Sequence, residues 1–294
     1  MATLGWIGLG DIGAPMALRL IGAGHDVIVW GRTHSRLQPA LDAGAKAAGT
    51  PAELAAQCEA VILCVTDGNA VEEVVFGDHG LAEGATQGSL IVDHSTIHPE
   101  ETRSFAAQLR DISVGWVDAP VSGGSAGAAA GTLSIFLGGE VADVTRVRPW
   151  IAAYGANVTH MGSVGNGQIT KSCNQAVVAS TAALWAEVIA YARNCGIDPA
   201  QMVDALAGGW ADSAVRAAHA QNMVQGKFRP STTNLLLKDL EIVGDMASVT
   251  TSPMPVTGAV TSVYRMLSAQ GRKAGGPGAL MQLYDENATS APKA

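Results

Sequence analysis

Residues 3–22, TLGWIGLGDIGAPMALRLIG, decide the fold of the first half of the chain. An apolar, strand-like run leads into Gly8, Gly10 and Gly13, and a helical pattern follows directly. In such a turn the first glycine permits a tight bend, the second lets a pyrophosphate approach the backbone, and the third lets helix and strand pack closely. The free N–H groups at the helix start favour negative charge. The stretch therefore predicts a dinucleotide site.

Apolar strand-like runs alternate with helical patterns from this stretch to residue 162. The predicted strands are residues 3–9, 26–30, 60–65, 89–95, 114–121, 133–138 and 157–162. Near-continuous apolar strands with helical crossovers indicate a parallel sheet that is covered on both faces. We therefore predict a Rossmann-type, doubly wound α/β domain over residues 1–163.

A long helical pattern, residues 166–195, follows the last predicted strand and has no proline and, after its first turn, no glycine. Strand signals are absent beyond it, and helical segments continue to the C-terminal end. Glu187 and Arg193 interrupt its apolar character, so we interpret it as a core helix and not as a membrane span. Residues 164–294 are therefore predicted to form an all-α domain built on a long interdomain helix.

Composition favours a two-domain protein that binds neither nucleic acid nor membrane. The 294 residues are 48% hydrophobic and 15% charged, which is enough apolar material for two cores. A net charge of −8, with no lysine and arginine cluster, gives no electrostatic footprint for nucleic acid. The four cysteines show no metal-ligand spacing and indicate reduced thiols, so we expect a cytoplasmic protein.

The end of the second predicted strand indicates which dinucleotide binds. An NAD site usually carries Asp or Glu there, which accepts a hydrogen bond from the ribose 2′-OH. This chain has Arg32, Thr33 and Arg36 instead, and these side chains suit a 2′-phosphate through charge-assisted hydrogen bonds. We therefore expect NADP(H) to be favoured over NAD(H). The alternative is that Arg32 only stacks on the adenine.

Two loops follow later strands at the carboxyl edge, where α/β sheets bind ligands. In the first loop Thr96 can reach the cofactor. His94 and His98 lie four residues apart, but Pro99 opposes a helix there and no third ligand is evident. We predict no metal site and interpret both histidines as solvated loop residues.

The second loop carries Ser122, Gly123 and Gly124, which provide an exposed hydroxyl and unobstructed N–H groups suited to a carboxylate. The motif G-x-S-x-G is absent, so acyl-enzyme chemistry is not indicated.

Lys171, Asn174 and Gln175 open the long helix at spacing i, i+3, i+4, so the three polar groups share one helix face. Lys171 is either a lysine whose stem lies along apolar surface or one held in a closed site to handle a proton. Lys238 precedes Asp239 in an apolar helical segment. That lysine either forms a structural pair with the aspartate or reaches the cofactor.

Together these motifs resemble the β-hydroxyacid dehydrogenase family of 3-hydroxyisobutyrate dehydrogenase-like and 6-phosphogluconate dehydrogenase-like proteins. The likeness is greatest to the group of tartronate semialdehyde (2-hydroxy-3-oxopropionate) reductases. The motifs occur in the family's order: GLGDIGAPMA at 8–17, STIHP at 95–99, DAPVSGG with GTLSIFLGG within 118–139, GNGQITKSCNQ at 165–175, GGWADS at 208–213 and KDL at 238–240. Thr66 departs from the pattern, because many members carry proline there.

The resemblance implies an NAD(P)-dependent oxidoreductase acting on CH–OH groups. It would interconvert a small β-hydroxy acid and its semialdehyde or keto acid, such as tartronate semialdehyde, succinate semialdehyde or glyoxylate. Lys171 is then the catalytic general acid and base, and Asn174 helps to position the substrate. The expected substrate-binding residues are Ser122, Gly123, Gly124, Thr96 and Gln175. The expected cofactor-binding residues are Gly8, Gly10, Asp11, Ile12, Gly13, Arg32, Thr33, Arg36, Val65, Thr66, Thr96 and Lys238.

Two other functions stay open at this point. One is an NADPH-dependent imine reductase of related fold, and the other is a dinucleotide-binding sensor without turnover. We also expect a homodimer or homotetramer, because a helical domain around one long helix has many faces to cover.

Overall fold

A computed structural model describes residues 2–227, 229–271 and 274–284. It confirms the predicted class, a parallel α/β sheet followed by a helical part with one long helix. The chain forms two compact units that divide between Lys171 and Ser172.

The central sheet of the first unit has six strands. They are β1 (Thr3–Ile7), β2 (Asp26–Trp30), β3 (Lys46–Ala47), β4 (Ala60–Leu63), β5 (Leu90–Asp93) and β6 (Gly115–Asp118). All pairings are parallel and the order is β3-β2-β1-β4-β5-β6. Because the strand order reverses between β1 and β4, the loops that follow these strands flank the position where α/β sheets bind ligands. Only β3, which has two exposed residues, was not predicted.

Eight α-helices lie between Gly13 and Ile151, around this sheet. They are α1 (Gly13–Gly22), α2 (Gln38–Asp42), α3 (Pro51–Ala55), α4 (Gly68–Phe76), α5 (Leu81–Gly84), α6 (Pro99–Asp111), α7 (Gly124–Ala130) and α8 (Val141–Ile151). Successive side chains of a strand point to opposite faces. Trp6 accordingly lies in one apolar core and Ile7 in the other, so the sheet is buried on both sides.

A smaller, mixed sheet continues the first unit. It contains β7 (Val121–Ser122), β8 (Leu133–Leu137) and β9 (Gly155–His160), with β7 antiparallel and β9 parallel to β8. The single strand predicted over residues 114–121 was therefore wrong. Pro120 has no N–H to donate, and β6 ends at Asp118 before the chain enters the second sheet.

Five helices are described from residue 166 onward: α9 (Asn166–Asn194), α10 (Pro199–Ala205), α11 (Gln221–Val224), α12 (Thr233–Val249) and α13 (Pro255–Ala269). A π-helical turn (Arg216–Ala220) and a 3-10 helix (Gly276–Leu283) complete the helical part. The prediction of no strand here was wrong, because β10 (Arg229–Thr232) and β11 (Ala274–Gly275) pair antiparallel. Such short backbone pairing leaves no alternating apolar pattern in the sequence.

Helix α9 is long and apolar enough to cross a membrane by length and composition alone, but half of its most apolar window is buried inside the protein. Ala179, Trp185 and Ile189 of this helix pack in the apolar core of the second unit. These contacts are typical of the core helix of a soluble protein.

Candidate active site

The glycine turn after β1 has the geometry that a phosphate cradle requires. Gly8 has φ +100°, and a Cβ there would lie 2.1 Å from the carbonyl oxygen of Cys64. A Cβ on Gly13 would lie 1.9 Å from the carbonyl oxygen of Gly8. By contrast, a Cβ on Gly10 would meet only Arg36 Nη1, at 4.0 Å. The first and third glycines are therefore required by close packing, whereas the second faces space that a phosphate group would fit.

Two other loops, at the carboxyl ends of β4 and β5, carry further residues that were predicted to contact the cofactor. Val65 and Thr66 follow β4, and Thr96 follows β5. The backbone N–H of Val65 donates to Ser95 Oγ at 3.0 Å, which ties the two loops together. Because carboxyl ends of parallel strands share one edge, these residues lie on the same side of the sheet as the glycine turn. Asp11 is exposed in that turn, and Ile12 directly precedes α1.

The two predicted phosphate-binding arginines have different surroundings. The guanidinium of Arg36 lies beside Gly10, because a Cβ placed on this glycine would be 4.0 Å from Arg36 Nη1. Arg32 instead forms an exposed ion pair with Glu73 of α4, at 3.3 Å. Thr33 is exposed, and its carbonyl oxygen accepts from the N–H of Arg36. The sequence offers no sign of the carboxylate that faces Arg32.

Lys171 lies buried in the second turn of α9, with 7% of its surface exposed. Its Nζ donates to the carbonyl oxygen of Val121 at 2.9 Å. The next residues, Ser122, Gly123 and Gly124, leave β7 with positive φ at both glycines, and a Cβ on Gly124 would meet only open space. The structure therefore brings the predicted catalytic amine next to the predicted carboxylate site.

The start of α9 is held by a buried carboxylate. Asp118, at the end of β6, accepts from the N–H of Gly165 at 2.8 Å and from the N–H of Gln168 at 2.9 Å. Burial raises the pKa of Asp118 to about 6, and its hydrogen bonds from backbone N–H groups oppose that rise. Gln168 is also buried and bonds to the loop that contains Thr96. Neither residue was predicted to belong to the site.

The interpretation of His94 as a solvated loop residue was wrong, whereas His98 is partly exposed in the loop that precedes α6. His94 is buried, and its ring contacts the Ala119 carbonyl oxygen at 2.6 Å and the Tyr154 hydroxyl at 2.8 Å. Burial lowers the pKa of His94 to about 4. His98 accepts from the N–H of Glu100 and caps α6. Both rings thus have structural roles, and periodicity alone does not distinguish a buried loop histidine from an exposed one.

In the second unit, Gln175 joins the predicted site residues of two helices. Its Nε2 donates to Asp239 Oδ2 at 2.6 Å, and its Oε1 accepts from Asn174 Nδ2 at 2.8 Å. Asp239 in turn pairs with Lys238 at 3.3 Å. We name Asn174, Gln175, Lys238 and Asp239 the amide chain. It links α9 to α12 and holds Asn174 in one orientation.

Comparison with known sequences accounts for almost the whole chain. A profile described as the NAD binding domain of 6-phosphogluconate dehydrogenase matches residues 3–162. A second profile, described as NAD-binding of NADP-dependent 3-hydroxyisobutyrate dehydrogenase, matches residues 165–284. The chain belongs to the 3-hydroxyisobutyrate dehydrogenase family. It is thus an NAD(P)-dependent β-hydroxyacid dehydrogenase, as its motifs predicted.

Proteins with several different names resemble more than nine tenths of the chain. The 2-hydroxy-3-oxopropionate reductase of Escherichia coli K12 is 36% identical over 91% of this chain and 92% of that protein. An NAD-dependent L-serine dehydrogenase of Pseudomonas aeruginosa is 32% identical over 92% and 94%. The crystal structure of a 3-hydroxyisobutyrate dehydrogenase from Salmonella typhimurium covers 96% of this chain and 100% of its own, with 27% identity and a TM-score of 0.89.

Proposed function

We propose that the chain is an NADPH-preferring reductase that interconverts a small β-hydroxy acid and its semialdehyde or keto acid. The observation that carries this proposal is the buried amine of Lys171, held 2.9 Å from the Val121 carbonyl and beside Ser122. A buried ammonium group stabilises negative charge on a nearby carbonyl oxygen more strongly than one in water.

The proposed roles follow from these positions. The bound nicotinamide supplies or accepts the hydride. Lys171 stabilises the charge that grows on the substrate oxygen, donates the proton during reduction and removes it during oxidation. Ser122, Gly123 and Gly124 bind the substrate carboxylate. Asn174 helps to orient the substrate, with Gln175 supporting its side-chain amide.

The preference for NADPH rests on the residues after β2. Arg32, Thr33 and Arg36 favour a 2′-phosphate, and the segment 31–36 that follows β2 contains no carboxylate to accept from a 2′-OH. We propose that residues 1–163 bind the dinucleotide, with Val65, Thr66 and Thr96 near its nicotinamide end. Lys238 would contact the cofactor from residues 164–294, the proposed substrate and oligomerisation domain.

Tartronate semialdehyde is the first substrate to test, since the motifs and one relative's name agree on it. The panel should contain tartronate semialdehyde, succinate semialdehyde and glyoxylate, each with NADPH and with NADH. We expect the highest kcat/KM for tartronate semialdehyde with NADPH. Turnover of a cyclic imine but of none of these acids would favour the imine reductase alternative. Cofactor binding without turnover of any compound would favour a sensor.

We also propose that the protein is a cytoplasmic homodimer or homotetramer, with α9 at an interface between copies. Val177, Leu184 and Tyr191 are exposed at seven-residue intervals, so they form one apolar stripe along this helix. Such a stripe suits the same face of a second copy. Light scattering should show an oligomer for the wild type and a smaller species for Leu184→Glu. Ile112→Glu, at an exposed apolar position outside the stripe, is the matched control.

A further inference from the structure

Gln168 uses both halves of its amide on the loop that contains Thr96. Its Nε2 donates to the Ser95 carbonyl oxygen at 2.8 Å, and its Oε1 accepts from the Ile97 N–H at 3.3 Å. Gln168 is 1% exposed, and Ser95 and Ile97 are also buried. The side-chain amide of Gln presents a donor and an acceptor on one planar group. A hydrocarbon side chain of the same size would form a hydrogen bond neither with the Ser95 carbonyl oxygen nor with the Ile97 N–H.

The backbone of Gln168 is held as firmly as its side chain. Its N–H donates to Asp118 Oδ2, and the N–H of Gly165 donates to the other oxygen of the same carboxylate. A Cβ on Gly167 would lie 2.5 Å from the Phe136 carbonyl oxygen and 2.7 Å from Asp118 Oδ2. The first turn of α9 therefore packs closely against the ends of β6 and β8.

Lys171 follows Gln168 by three residues, so the two side chains are neighbours on one face of α9. The amine of Lys171 donates to Val121, next to Ser122. Buried hydrogen bonds thus join the Thr96 loop, the end of β6 and the beginning of the Ser122 motif to one helical turn. This arrangement controls where the Thr96 loop stands relative to the lysine.

We propose that Gln168 is a positioning residue for hydride transfer, because its amide fixes the Thr96 loop on the turn that carries Lys171. The proposal rests on the proposed function of Lys171 and extends it to a residue whose amide bonds to the backbone of the Thr96 loop. A displacement of about 1 Å at a reacting centre can lower the rate about a hundredfold.

The test replaces Gln168 with Leu, which has a similar size and no hydrogen-bonding group. Tartronate semialdehyde and NADPH serve as substrates, and kcat is expressed per NADPH-binding site counted by fluorescence titration. We expect kcat per site to fall about ten- to hundredfold. The Kd for NADPH should stay within about threefold of wild type, because the glycine turn and both arginines are untouched. The deuterium isotope effect with 4-deuterated NADPH should be at least as large as in wild type.

Thr102→Val is the matched control. Thr102 is fully buried in the same unit, and its hydroxyl accepts from Trp116 Nε1 at 2.8 Å, so this variant also loses a buried bond. It should lower the melting temperature without changing kcat per site. Gln168→Glu keeps an acceptor for the Ile97 N–H and loses the donor to Ser95. Its kcat should lie between those of wild type and Gln168→Leu, and it carries the test if the leucine variant does not fold.

A Gln168 variant that folds and keeps kcat per site within twofold of wild type overturns the proposal. Lys171→Ala, measured in parallel, separates this failure from the failure of the proposed function. An active alanine variant removes the role of Lys171 itself. An inactive alanine variant together with a fully active Gln168→Leu removes only the role of Gln168.

Discussion

The two compact units hold their polar side chains in different ways. In the first unit, Asp118 and Gln168 are almost fully buried and bond to backbone groups, so each bond fixes the course of the chain. In the second unit, Gln175 and Lys238 are partly exposed, and their bonds join one side chain to another. A buried group that loses its partner stays unpaired, whereas a partly exposed group can bond to water.

This difference shows which of the proposed site residues have a fixed position. Hydrogen bonds between buried side chains and the backbone fix the position of the Lys171 amine and of the loops around it. The partly exposed groups of the amide chain can replace a lost hydrogen bond with one to water. We therefore expect large effects from changes in the buried cluster and graded effects from changes in the amide chain.

Lys171→Ala should have the largest effect. Because proton transfer by a positioned group contributes about 10² to 10⁴ in rate, kcat should fall by that factor. The fold and the affinity for NADPH should be largely kept. Steady-state kinetics and a thermal melt check this expectation, with Lys46→Ala, at an exposed position in β3, as the control. A Lys171 variant with more than half of wild-type activity would show that the buried cluster does not serve catalysis.

The burial of His94 makes the stability of the first unit depend on pH. Its pKa is lowered from 6.5 to about 4 in the folded protein, so between these values the unfolded chain binds a proton that the folded chain does not. Stability should therefore be fully present above about pH 6.5 and fall by about 3 kcal/mol as the pH drops to 4.

His94→Gln should remove most of that pH dependence, as followed by melting temperature from pH 7.5 to pH 4. His34→Gln, at an exposed position, should retain the wild-type slope. If the melting temperature falls equally with pH in wild type and in His94→Gln, other groups cause the acid sensitivity.

Gln175→Leu tests the amide chain and should act more mildly. The variant loses the bonds to Asp239 and Asn174, which should lower the free energy of unfolding by about 1 kcal/mol. With Asn174 less restrained, the KM for substrate should rise several-fold while kcat stays within about threefold. Chemical denaturation and steady-state kinetics provide the measurements. A tenfold loss of kcat would place Gln175 at the reacting centre and would erase the contrast between the units.

Glu73→Gln should have the smallest effect. Because Glu73 is an exposed residue of the first unit, this variant tests whether exposure, and not the unit, determines the size of an effect. The carboxylate of Glu73 pairs with Arg32 at an exposed position and so would compete with the 2′-phosphate that we propose Arg32 to bind. Exposed pairs contribute little, so the Kd for NADPH should decrease only about two- to fivefold. The Kd for NADH should not change. Fluorescence titration with both cofactors measures this, and an equal change for both would remove the role of Arg32 in their discrimination.

The glycine turn, the buried strands and Lys171 could be predicted because each depends on residues that are close together in the sequence. Gly8 and Gly13 indicated a dinucleotide turn because a β-carbon at either place has no room. Continuous apolar runs predicted β4 and β5, since both are buried on two faces. Lys171 was identifiable because a lysine is unusual within an apolar helical pattern.

Long-range contacts explain what the sequence did not reveal. Asp118 and Gln168 are separated by 50 positions, and Ser95 and Gln168 by 73, so no spacing rule connects them. The exposed pair of Arg32 and Glu73 and the burial of His94 likewise depend on which helix or ring packs nearby.

The sequence by itself determined the class of fold, the glycine turn, the long helix and the family, because each depends on residues near one another in the chain. Only the tertiary structure decided that β6 and β7 belong to different sheets, and that a buried carboxylate and a buried amide hold the turn of Lys171. Hydrogen bonds between distant segments form when the sheet brings strand ends together, and side-chain periodicity contains no record of those partners.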